Sequence, residues 1–160
     1  MSLSVQEKLK AGPMFDWEIM EHHFTSYFRD YDIFVDVGTR VAGSDEWQIN
    51  RARYRFTHCT FAEVTTELPD ALWTSSWTEA PQLVYQDYLD DGGAGYFWGA
   101  EGAVAFPGLE YIANSPVAQE WTERLQKPMH EVFIETTPQN IRLIFHDVDI
   151  TWTSEGSSAK

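Results

Sequence analysis

Five histidines carry most of the latent chemistry of this 160-residue chain: His22, His23, His58, His130 and His146. His58, His130 and His146 fall in runs with strand periodicity, on faces shared with large apolar side chains. Three neutral imidazoles gathered on one side of a sheet would leave a fourth position open, which is the ligand set of a catalytic zinc or another divalent metal. That convergence depends on register, because a one-residue slip turns each side chain to the other face. No His-x-His or His-Glu-x-x-His spacing fixes two ligands locally. The alternative is three separate histidines, each hydrogen-bonded at the sheet's edge.

Carboxylates come next. Asp30-Tyr31-Asp32 and Asp147-Val148-Asp149 each place two acids on one strand face. Such pairs can hold a divalent cation, although neither has the glycine or the ligand number of a calcium loop. A solvated strand face or edge protection explains them as well. Asp30 and Asp32 are therefore binding candidates, and His22-His23 beside Asp30 a mixed one. Cys59 follows His58 directly, so the two point to opposite faces and the imidazole does not activate the thiol; Cys59 reads as a buried structural residue. No nucleophile elbow, Ser-x-x-Lys, phosphate loop or dinucleotide fingerprint occurs. The aromatic segments Trp73-Thr-Ser-Ser-Trp77 and Tyr96-Phe97-Trp98 supply core, or else line a pocket or a protein-binding patch. Trp73, Trp77, Tyr96 and Trp98 are the second set of binding candidates.

The elements that must position these residues follow from periodicity. Residues 1–13 read as a short helix or flexible arm ending at Gly12-Pro13, and 14–24 as a short helix with Phe15, Ile19, His22 and His23 at helical spacing. Tyr31 to Val37 alternates as a strand. A longer strand from Gln48 to about Glu67 exceeds the usual ~6 residues, so a bend near His58–Thr60 is expected, and the two strands pair as a hairpin. Pro81 opens a possible helix, and Tyr96 starts a buried strand. Ser115-Pro116 marks a helix start, with Val117, Trp121 and Leu125 on one stripe. His130, Val132 and Ile134 alternate in a strand. Ile141 to Trp152 forms another, with Ile144, His146, Val148, Ile150 and Trp152 on one face, and the two make a C-terminal hairpin. The sum is an α+β fold: one globular domain over 14–153, a twisted antiparallel sheet with two or three helices packed on it, and a polar tail at 154–160. A β-sandwich with decorating helices is the runner-up.

Composition narrows the partners. The chain is 43% hydrophobic and 15% aromatic, which is globular, and sets 11 Lys and Arg against 25 Asp and Glu for a net charge of −14. That charge argues against nucleic acid and against anionic membranes. One cysteine leaves no internal disulfide and no Cys₄ or Cys₂His₂ zinc site. The N-terminus lacks the apolar run of a signal peptide, so the expectation is cytoplasmic.

The strings His22-His-Phe-Thr-Ser-Tyr-Phe-Arg-Asp-Tyr-Asp32, Tyr54-Arg-Phe-Thr-His-Cys59, Gly95-Tyr-Phe-Trp-Gly99 and Phe106-Pro-Gly-Leu-Glu-Tyr111 resemble the bacterial YxiG-like proteins. So do Ser115-Pro-Val-Ala-Gln-Glu-Trp121, Lys127-Pro-Met-His-Glu-Val132 and Leu143-Ile-Phe-His-Asp147. The resemblance spans most of residues 20–152 and implies a bacterial single-domain protein. It brings no established activity, so no catalytic residue is carried over.

Three functions fit. The favoured one is a non-enzymatic acidic module that binds a basic protein, as an immunity protein neutralises a basic toxin, with no cofactor. An evenly spread acidic surface would remove its support. The alternative is a metal-dependent or small-molecule-binding enzyme that uses the strand histidines. The third is a homo-oligomer that buries the aromatic patch.

Overall fold

The computed structural model describes residues 2–14, 17–66, 103–136 and 139–153; the side chains of 103, 104, 106 and 107 are outside that description. The expected helix from Pro81, the strand from Tyr96, the candidates Trp73, Trp77, Tyr96 and Trp98, and the tail at 154–160 lie outside the described residues. Two helices and eight strands are present among them: α1 (Val5–Ala11), β1 (Glu18–Phe24), β2 (Tyr31–Arg40), β3 (Trp47–Thr57), β4 (Phe61–Thr66), β5 (Ala103–Tyr111), α2 (Pro116–Leu125), β6 (His130–Thr136), β7 (Gln139–Phe145) and β8 (Asp147–Thr153). No described helix is long and apolar enough to cross a membrane.

The fold is mostly β rather than a single sheet carrying helices. One antiparallel sheet contains β1, β2, β3 and β8, and the other β4, β7, β6 and β5. A two-residue contact, Glu18↔Val104 and Ile19↔Ala103, joins them on one side. On the other side two long strands pass from sheet to sheet. β3 pairs with β8 and, beyond a bend at His58–Thr60, β4 pairs with β7. The His146 N–H donates to the Thr57 carbonyl (2.9 Å) and the Thr60 N–H to the Ile144 carbonyl (2.9 Å), so the ladder continues around the corner. Strands that switch sheets at bends make the corners of packed β-sheets.

The core lies between the sheets. Ile33, Val35, Tyr54, Phe56 and Val148 face Val132, Ile134, Leu143 and Phe145, all of them buried. The Phe56 and Phe145 rings meet edge to face at 4.8 Å across the gap. Each such side chain contributes roughly 1.5–3 kcal/mol by leaving water, more than a typical surface ion pair, so this layer supplies most of the stability. A second, smaller cluster of Ala118, Met129 and Ile144 sits beneath α2 on the outer side of the second sheet. That helix begins as its sequence predicts: the Ser115 hydroxyl accepts from the Ala118 N–H, and Pro116 opens the first turn.

Three expectations need correction. Residues 18–24 form a strand, not a helix. A β-bulge between Ile19 and Glu21 puts both Ile19 and His22 on the core face, opposite Val35 and Ile33. One added residue in a period of two produces the three-residue spacing of a helix. The face shared by Ile144, His146 and Val148 does not exist either. Phe145 and Val148 both point inward, so the alternation shifts at His146, and Ile144 packs under α2 instead. Finally, the Asp30 and Asp32 face is not solvated: the two residues are 2% and 3% exposed.

At the N-terminus α1 is the helix of the two readings. Ser4 and Glu7 form a capping box, and Leu9 enters the core. Gly12 then passes so close to the core that a Cβ there would stand 2.3 Å from Tyr54 Oη and 2.8 Å from Ile150 Cδ1. Gly12→Ala is expected to lose about 1–3 kcal/mol by overpacking, read by urea denaturation. Tyr54→Phe is expected to be neutral or stabilising, because its buried hydroxyl has no partner among the described residues. Equal stability of Gly12→Ala and the parent would show that the helix end shifts freely.

Candidate functional site

The outer face of the first sheet is a ladder of charges. Register sets Asp32 opposite Arg55, Phe34 opposite Arg53 and Asp36 opposite Arg51. Arg55 donates to both Asp32 oxygens (2.8 and 2.7 Å), and Arg51 to both of Asp36 (2.6 and 3.0 Å). These bidentate pairs hold the register: a one-residue slip would set Asp32 against Tyr54 or Phe56. Between them the Arg53 Nε is buried with no hydrogen-bond partner among the described residues.

Asp30 organises the β1–β2 loop. It accepts from the Tyr27 hydroxyl (2.7 Å), from Arg29 Nε (3.0 Å) and from the His58 backbone N–H (3.0 Å). Burial opposes its ionisation. The hydrogen bonds from Arg29, His58 and Tyr27 outweigh that burial and hold the carboxyl well below the usual carboxylate range. The loop displays Phe28 almost fully exposed at φ 54°. His58 also adopts a left-handed backbone, φ 48°, which lets the long strand turn while its N–H reaches Asp30. Both acids are thus consumed by arginines on neighbouring positions, and no cation is needed to satisfy them.

The bends bring strand histidines together. The His58 and His146 rings stand edge to face with centroids 5.9 Å apart. His146 Nδ1 donates to the Pro128 carbonyl (2.7 Å), which leaves its Nε2 as the lone pair when the ring is neutral. His130 Nδ1 meets the Tyr111 hydroxyl (2.9 Å), and its ring lies 6.1 Å from that of Phe145. Burial lowers the pKa of His58 and His130; Lys127, Arg29 and His146 add to this at His58, and His146 at His130. His58 Nδ1 is buried with no hydrogen-bond partner among the described residues. Two of the three candidate ligands therefore face each other and the third is an electrostatic neighbour. Among the described residues no three of His, Cys, Asp and Glu form a group that could hold a metal ion.

The remaining candidates separate. His22 turns inward, with Nδ1 2.6 Å from the Tyr31 hydroxyl and Nε2 facing the Gln139 amide oxygen at 3.4 Å, while His23 sits on the opposite face beside Phe34. Asp147 binds Lys8 of α1 (2.7 Å), and Asp149 is exposed. Burial pushes the Cys59 thiol up to about 12, as suits an inert core residue.

The second sheet's outer face differs from the first. Across β5, β6, β7 and β4 one row reads Glu110, Phe133, Arg142, Glu63, and Glu135 stands in the next row. Arg142 is taken by the buried Glu131, which also accepts from Ser115. Glu63, Glu110 and Glu135 are exposed. The alternating arginines were the sequence signal for the ladder: Arg51 and Arg55 read with Asp36 and Asp32 specify a paired face. Nothing local marks Glu63, Glu110 and Glu135 as neighbours.

Fold and charge together define a small, acidic, two-sheet β protein whose internal ion pairs take up most described cations and leave exposed carboxylates on both sheets. The chain belongs to the YxiG-like protein family, whose model matches residues 4–159. No curated protein and no solved structure matches it.

Proposed function

We propose that the protein is a non-enzymatic binding module for a basic protein partner, of the kind an immunity protein is for a basic toxin. The observation that carries this reading is that most described cations are bound within the chain while exposed carboxylates are left over. Lys8, Arg29, Arg40, Arg51, Arg55 and Arg142 are each bound to a carboxylate of the same chain, and Arg124 lies over the Trp121 ring at 4.0 Å. On the first sheet's outer face Asp32 and Asp36 are neutralised by those pairs, while Glu21 and Asp149, in the rows of Phe34 and Arg55, stay exposed. Glu63, Glu110 and Glu135 on the second have no ion pair among the described residues and surround the half-buried Phe133, so positive charge is attracted there over an apolar centre.

The test uses Lys- and Arg-rich 15-residue peptides and a panel of basic proteins, with binding followed at low and high salt. Binding is expected to weaken at least tenfold when Glu63, Glu110 and Glu135 are all replaced by Lys, and to fall with salt through the on-rate. Equal binding by the parent and the triple variant, at matched melting temperature, would overturn the reading.

A second reading, an enzyme that uses the strand histidines, is supported by the facing His58 and His146 rings. It requires a melting temperature that rises with zinc or manganese over chelator, and a rise lost in His146→Ala.

A further inference from the structure

β8 ends the strand order: it pairs with β3 on one side and with no described strand on the other. A sheet edge of this kind carries unpaired N–H and C=O groups, ready for another strand. Here the edge lies beside a cavity of about 340 Å³, between α1 and β8. Leu3, Gly12, Pro13, Ile150 and Trp152 give it apolar walls, and Trp152 is 56% exposed. The volume stands at the low end for binding pockets, roughly 300–1,000 Å³, with room for one large side chain and part of a second.

Two details mark the wall as built. Gly12 is bare backbone, pressed against the fully buried Tyr54 hydroxyl, which has no partner among the described residues. The charges of the lining are also sorted. Lys8 is neutralised by Asp147, whereas Asp149 is exposed and has no ion pair among the described residues. Among the described lining residues the free charge is therefore one carboxylate.

We propose that this groove takes an extended segment of a protein partner as an added strand on β8, with an apolar side chain in the cavity and a Lys or Arg against Asp149. Charge complementarity selects this occupant. A second copy of the chain would bring its own net charge of −14 and a second exposed Asp149 to the edge. Main-chain hydrogen bonds would supply affinity and the cavity would supply specificity, as in other cases of strand addition. No described lining residue belongs to the second sheet or to α2, so this site stands apart from Glu63, Glu110 and Glu135.

The probe is an eight-residue peptide of alternating Val and Lys, compared with its Val and Glu counterpart and with a copy N-methylated on alternate residues. Amide shifts in the full-length protein are expected to concentrate in β8 and α1. Affinity is expected to fall at least tenfold on N-methylation and at least tenfold for Asp149→Lys, which should in turn favour the Val and Glu peptide. Asp149→Lys is expected to keep the parent's melting temperature and its binding at Glu63, Glu110 and Glu135, which separates a failure here from a failure of the proposed function. Three results would overturn the proposal. One is binding indifferent to N-methylation, which would make the cavity a small-molecule or side-chain pocket. Another is concentration-dependent dimerisation through β8, which would name a second copy as the occupant. The last is no shift at millimolar peptide.

Discussion

Asp30→Ala is expected to lower the unfolding free energy by about 3 kcal/mol, the largest effect of any single charged residue among those described. A hydrogen bond to a charged group is worth roughly 1.5–3 kcal/mol, and this carboxylate, 2% exposed, accepts several. Arg29 is half exposed and recovers water when its partner is lost, so its share is small. The larger loss comes from the His58 N–H, which is held at a left-handed bend. Asp30→Asn retains an acceptor for that N–H and should lose less than Asp30→Ala. Urea denaturation reads the difference, and hydrogen exchange locates it: the Cys59 N–H, bonded to the Arg29 carbonyl at 2.8 Å, should exchange faster in the alanine variant. A loss below 1 kcal/mol would mean that the loop holds its shape without the carboxylate.

Acidification is expected to weaken the fold between pH 7.5 and 5.5, before the carboxylates titrate. The pKa values of His22, His58 and His130 are all lowered in the folded chain, chiefly by burial. The unfolded chain therefore binds protons first. The stability associated with these rings is complete above about pH 6.5, their unfolded value, and is lost as pH falls from there toward the lower folded values. Each ring adds to the slope in this direction, and about 1.4 kcal/mol per pH unit is the ceiling for any one of them. Asp30 and Asp147 are held below their ordinary range, so their contributions disappear only below about pH 4. Urea denaturation at pH 7.5, 6.5 and 5.5 measures the slope. His58→Asn, which tolerates a left-handed backbone, should flatten it by one residue's share. A flat profile in the parent would show that the folded imidazoles accept protons as readily as the unfolded ones.

Much of the fold is written in local pattern. The β2–β3 hairpin, the break at His58–Thr60, the start of α2 at Ser115-Pro116 and the β6–β7 hairpin all follow from alternation, turn residues and caps. What escapes is phase. The bulge at Met20 makes a strand spell a helix, and the shift at His146 moves Ile144 to the far side of the second sheet. A periodicity assumes an unbroken element and has no term for one inserted residue. Asp30 and Asp32 looked solvated because distant partners bury them: the His58 N–H reaches Asp30 across the bend, and only register brings Arg55 to Asp32. The meeting of His58 with His146 was legible as a possibility and depended on two bends falling at the same corner.

The long strands that turn the corner also set an order of assembly. Arg51 and Thr153, which share a hydrogen bond, are 102 positions apart, and Thr57 and Asp147 are 90 apart. The β2–β3 and β6–β7 hairpins close short loops and can form early, whereas β3 with β8 and β4 with β7 must join distant parts of the chain at a high entropic cost. If these pairings close last, the transition state contains little of them. Weakening β8 should then quicken unfolding while leaving the refolding rate nearly unchanged. The same seam that binds the two sheets governs how long the folded chain lasts once formed.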